Sequence, residues 1–263
     1  MGITSLVGML VALGAIVYGI VILGGELGDF YSLPSIMLVV VPTIGAIVAT
    51  YPLSILLKVP AHAKAILGKG YKPEDYVEKI VALAMKARSE GLLALENEKP
   101  DDPTMHYALR MIVDSMAATE VKNSLEDSLA GITARHNEAI ALYEKAAAYA
   151  PAFGMCATVI SLVNMLMGLN FEDPNAMTSL GINMATALIT TFYGSVLANV
   201  VFLPIAARLK ILHKRELLCK TMICNGLLAI QRGDNPNAIR EYLLEQISRD
   251  AAKGAAAGGG DKE

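Results

Sequence analysis

The stretch from residue 146 to 207 constrains this chain most. Its only charged side chains are Glu172 and Asp173, side by side near the middle. Each flank is apolar and long enough to cross a bilayer, which takes about 20 helical residues. The first flank carries Thr158, Ser161 and Asn164; the second carries Thr178, Asn183, Thr186, Thr190, Thr191, Ser195 and Asn199. A charge in mid-membrane costs about 2.5–3.5 kcal/mol on insertion scales and is kept for function. No Asp, Glu, His, Lys or Arg falls inside any predicted span. A helix pair rich in hydroxyls and empty of charge points to a membrane path with an incomplete set of polar groups, not a self-contained pump; if it conducts a cation, a partner's carboxylate must stand beside these threonines.

Two further apolar runs precede it. Residues 3–23 end at Gly24-Gly25, and residues 33–51 contain Pro42 and stop at Pro52. The first lacks a basic leader and is too long for a signal peptide, so it reads as a retained span. The pair reads as lipid-facing, although a mid-span proline needs neighbouring helices to satisfy the freed carbonyl, which implies packing for the second. The expected fold is an all-α integral membrane protein with four transmembrane helices. A helical cytoplasmic domain lies between spans two and three. The divisions are 1–52, 53–145, 146–207 and 208–263. Charged residues make up 18% of the chain, against about 25% in soluble domains.

Charge sets the orientation. The loops 24–32 and 170–176 carry only acidic charge, while all 22 Lys and Arg lie in 53–145 and beyond 207. The positive-inside rule then puts the domain and both termini in the cytoplasm and the two acidic loops outside. No basic surface with interleaved aromatics appears, which excludes nucleic acid as a partner.

Within 53–145, Pro73 with Glu74 and Asp75 opens a helix that carries Val77, Ile80, Val81, Ala84 and Ala87 to Gly91. Residues 92–96 form one more helical turn, 100–103 a turn, and 103–116 a helix. Thr119 is the expected N-cap of a long helix that meets no proline before Pro151 and so runs into span three. In the tail, Gly233 to Pro236 is a turn before an amphipathic helix with Ile239, Leu243, Leu244 and Ile247, and 254–263 reads as disordered.

Other side chains read as structural. Cys156, Cys219 and Cys224 have no metal or disulfide spacing and are expected to be free, buried thiols. His62, His106, His136 and His213 are scattered and suit solvated positions. With no nucleophile–base set, metal cluster or phosphate loop, neither an enzyme nor a cofactor is expected. Small residues at Ala150, Gly154 and Thr158, at Gly181 and Ala185, and at Gly194 and Ala198 allow close helix approach, so the hydroxyls also have a plain packing reading.

Several segments together resemble the flagellar motor stator A subunits of the MotA/PomA family. They are 150–155 (Ala-Pro-Ala-Phe-Gly-Met) with Thr158, 187–194 (Ala-Leu-Ile-Thr-Thr-Phe-Tyr-Gly), Ala198-Asn199 and 201–204 (Val-Phe-Leu-Pro). The cytoplasmic run 87–96 and the tail Leu228-Ala229-Ile230-Gln231 with Gly233, Asn235 and Pro236 fit as well. The chain departs from the family pattern at Val41-Pro42, Ala157, Ser161 and Ser89. The resemblance implies a pentamer of A subunits around a dimer of B subunits, each B subunit supplying a membrane aspartate. It implies an ion path lined by Thr158, Thr190, Thr191 and Pro151, a functional proline at Pro204, and Arg88 and Glu96 as the contact with the rotor's switch protein. The transported ion would be H+ or Na+; paired hydroxyls tilt towards Na+, because hard cations favour oxygen ligands. The alternatives are a TolQ-type energiser, against which the fourth span argues, and a structural membrane scaffold.

Overall fold

A computed structural model describes residues 2–68, 70–169 and 176–258, and these form helices with no strand among them. The chain divides into two units, Met1–Lys69 with Asn137–Lys210, and Gly70–His136 with Ile211–Glu263. Glu172, Asp173 and the rest of the expected outer loop up to 175 lie outside the described residues.

The first unit begins with α1 (Gly2–Ile22) and α2 (Leu33–Thr50). Ser32 caps α2, its hydroxyl accepting from the Ser35 amide at 3.4 Å. The short helices α3 (Leu53–Leu56) and α4 (Val59–Leu67) follow. Helix α2 buries Ser35, Val39, Thr43 and Ile47, a stripe spaced by four residues. The stripe departs from the expected lipid-facing pair and agrees with the packing that Pro42 implied. Helix α2 packs on α8 (Ala176–Val196), and the Tyr193 hydroxyl donates to the Phe30 carbonyl just ahead of it.

Helix α7 runs unbroken from Ala118 to Met167 through Pro151. Its cap is Ala117, whose carbonyl accepts from the amides of Glu120 (2.9 Å) and Val121 (3.0 Å). Thr119 therefore lies in the first turn and is not the cap. After α8 comes a π-helical segment, Leu197–Phe202, and then α9 (Leu203–Arg232). The helix that holds the end of span four, expected near residue 207, continues to Arg232. Among the described residues, three helical stretches are long and apolar enough to cross a membrane, Leu33–Thr50 and parts of Ala118–Met167 and Ala176–Arg232. A shorter apolar helix is Leu6–Ile22.

The second unit holds α5 (Pro73–Glu90), a 3-10 segment Leu92–Asn97, α6 (Pro103–Val113), the start of α7, most of α9, and α10 (Pro236–Gly258). Its core includes Ile80, Leu95, Met105, Ile112, Leu125, Met222, Leu227 and Leu243, each less than 2% exposed. Helix α10 covers 254–258, expected to be disordered, since alanine is the strongest helix former; 259–263 lie outside the described residues.

Buried in this unit is an ion pair. Lys220 donates to both Asp102 carboxylate oxygens at 2.7 and 2.8 Å, with the two side chains 4% and 8% exposed. Asp102 also caps α6, accepting from the amides of Thr104 (2.9 Å) and Met105 (3.3 Å), and takes a hydrogen bond from the Tyr76 hydroxyl at 3.0 Å. Burial pushes the Asp102 carboxyl up, but Lys220, Tyr76 and the cap outweigh it and hold the group below its usual range. Burial first, then the neighbouring Asp102, raises the Cys219 thiol to about 12. Cys219 and Cys224 are buried as expected, whereas Cys156 is exposed on this chain's own surface.

Candidate functional site

Two glycines bring α7 and α8 together. A Cβ on Gly194 would lie 2.6 Å from the Ala150 carbonyl oxygen and 3.1 Å from the Pro151 Cα; one on Gly154 would lie 3.1 Å from the Thr190 carbonyl oxygen. Real Cβ atoms do not tolerate the first distance, so the crossing requires glycine at 194. By contrast, Gly181 has open space around it.

This close crossing gathers three of the sequence-predicted threonines. The Thr158 hydroxyl oxygen lies 2.6 Å from that of Thr191 and 3.0 Å from that of Thr190, and 2.9 and 3.0 Å from the carbonyl oxygens of Gly154 and Ala187. Thr190 Oγ1 lies 2.6 Å from the same Ala187 oxygen. Each hydroxyl carries one proton, and three protons cannot fill these five oxygen–oxygen contacts. The cluster is therefore oxygen-rich, with more oxygen–oxygen contacts than hydroxyl protons. Thr190 is 0% exposed, while Thr191 is exposed. The cluster thus opens on the surface through Thr191.

The other candidates are placed as follows. Pro151 sits on α7 against Gly194, beside the threonines. Pro204 is the second residue of α9, immediately after the π-helical segment. There the Leu203 amide bonds five residues back to Ala198, and proline supplies no amide for the next bond. Arg88 is in the last turn of α5 and Glu96 in the 3-10 segment; both are exposed. They flank Gly91, whose φ of 87° is in the region that favours glycine. Thr186 bonds back to the Ile182 carbonyl and Asn199 to that of Ser195, a local packing role.

Three features escaped the sequence. The π-helical segment depends on packing around Pro204. The Asp102–Lys220 pair joins residues 118 positions apart. His136 and His213, read as scattered and solvated, meet at 3.1 Å. His62 is likewise in contact, its ring edge-on to Tyr143 with centroids 5.9 Å apart.

The family model described as "MotA/TolQ/ExbB proton channel family" matches residues 96–222. Motility protein A of Treponema phagedenis is 38% identical over 251 residues, covering 94% of this chain and 95% of that protein. Chemotaxis protein PomA of Vibrio alginolyticus is 35% identical over 249 residues, covering 94% and 96%. Among solved structures, the flagellar MotAB stator complex from Bacillus subtilis is similar with a TM-score of 0.84 at 28% identity, over 92% of this chain and 95% of that one.

Proposed function

The chain belongs to the MotA/PomA family of flagellar stator A subunits, and from that premise we propose that its threonine cluster is its share of an ion path. As a stator subunit it couples ion flow to flagellar rotation. In this reading the chain works as a pentamer around a B-subunit dimer whose membrane aspartate stands beside Thr191. The ion neutralises that aspartate against the oxygen-rich face of Thr158, Thr190 and Thr191, with Pro151 shaping the lining. Each charge crossing the membrane releases about 2.3 kcal/mol per 100 mV, which biases a rotational step.

The four apolar runs support four spans, the charge pattern supports cytoplasmic termini, and the family supports the inner membrane. That orientation puts Arg88 and Glu96 on the side of the rotor, where their exposure suits docking on the switch protein. The coupling ion is H+ or Na+. The observation that carries the proposal is the unfilled oxygen contacts at Thr158. The test is complementation of a strain lacking its own stator, with the chain co-expressed with its B partner. Swimming should be restored by the wild-type chain and lost with Thr191→Val while the two subunits still co-purify. Swimming that survives Thr191→Val unchanged sinks the ion-path role. Replacing sodium by potassium in the same assay identifies the ion.

A further inference from the structure

In the unit formed by 70–136 and 211–263, His136 of α7 faces His213 of α9. The two Nδ1 atoms are 3.1 Å apart, and the rings stand at 88° with centroids 5.1 Å apart. A contact between two ring nitrogens at this distance needs one N–H donor and one lone pair. A neutral pair satisfies that, and so does a pair carrying one positive charge. A doubly protonated pair does not, because both Nδ1 atoms then carry hydrogen and both rings are cationic. We propose that His136 and His213 form a proton-binding site outside the ion path, which parts α7 from α9 when a second proton binds.

Polar and charged groups pack around the pair. Glu216 Oε2 lies 3.9 Å from His136 Nδ1. The Tyr71 hydroxyl fixes that carboxylate, donating to its other oxygen at 3.0 Å. The segment before α5 packs here, with a Cβ on Gly70 falling 3.7 Å from Leu212. The Lys220 ammonium lies 5.9 Å over the Tyr71 ring and is held by Asp102. Arg135 on α7, and Lys214 and Arg215 on α9, flank the pair in sequence and add positive charge to its neighbourhood. Burial, then the neighbouring His136, lowers the His213 pKa against the opposing pull of Glu216. A histidine whose folded pKa is lowered favours the closed contact above the ordinary imidazole value of about 6.5 and loses that contribution as pH falls below it.

The test is hydrogen–deuterium exchange on the assembled complex with its B partner at about pH 7.5 and about pH 5.5, in the range where histidine titrates. After correction for the intrinsic effect of pH, segments 132–140 and 209–217 of the wild type should exchange about tenfold faster at the lower pH. That ratio arises when the parted pair binds the second proton at the ordinary imidazole value of about 6.5 and the closed pair barely binds it at about pH 5.5. Core residues 77–84 should not change. His136→Asn and His213→Asn, neutral at both pH values, should each abolish the rise. A wild type without the rise, or a rise that persists in either folded variant, overturns the proposal. An imidazole NMR titration of the wild type tests it without any variant: two separated steps are expected, the second below about 6.5. A single shared step at the ordinary value overturns it.

Discussion

Thr158 makes four short oxygen contacts with one proton to give, and Gly194 is the residue that allows them. Gly194→Ala places a methyl 2.6 Å from the Ala150 carbonyl oxygen, and overpacking of this kind costs about 1–3 kcal/mol. The purified complex should melt at a lower temperature, and ion flux should fall because Thr190 and Thr191 retreat from Thr158. Asp102→Asn leaves Lys220 buried without its counter-charge, a loss of about 3–5 kcal/mol, read as a lower melting temperature. The lowered Asp102 pKa means that its stabilisation is present above the unfolded value of about 3.9 and is lost as pH falls through the folded one. Acid melting curves should therefore lose part of their slope in Asp102→Asn. The threonines were legible in the sequence because hydroxyls stand out in a charge-free span. The partners of Asp102 and His136 were not, since each lies far along the chain and only tertiary packing selects it.

The helices carry the next set of consequences. Helix α7 is one element of 50 residues that contributes to both units, and its length was legible because no proline occurs before Pro151. Ala130 is exposed in its first half, and Ala130→Pro breaks the backbone ladder there at a cost of about 3 kcal/mol. If α7 transmits the motion, the variant should still pass ions yet rotate tethered cells more slowly; equal losses of flux and rotation would refute transmission. The start of α7 was misread, because Thr119 is a good cap by type while the Ala117 carbonyl takes that place in the fold. The π-helical segment Leu197–Phe202 was invisible for a similar reason. Proline at 204 signals a missing donor, but how the ladder adjusts depends on close contacts such as those of buried Ala198 and Val200. Pro204→Ala restores the donor, and torque on tethered cells should drop with assembly intact.

For the whole molecule, the charge distribution ties residues to direction. The acidic loop 24–32 and the segments 53–145 and 208–263, which hold the Lys and Arg residues, predict opposite sides of the membrane. A cysteine placed at Asp29 should react with an impermeant thiol reagent in intact cells, whereas one at Ser89 should react only after lysis. The central claim, that the threonine cluster completes a partner's aspartate as an ion path, is tested most directly by ion flux. Liposomes holding the chain and its B partner, under an inward-driving potential, should take up protons or sodium. Uptake should vanish with Thr191→Val in this chain and equally with Asp→Asn in the partner's span. Uptake by the assembled Thr191→Val complex at the wild-type rate would contradict the account.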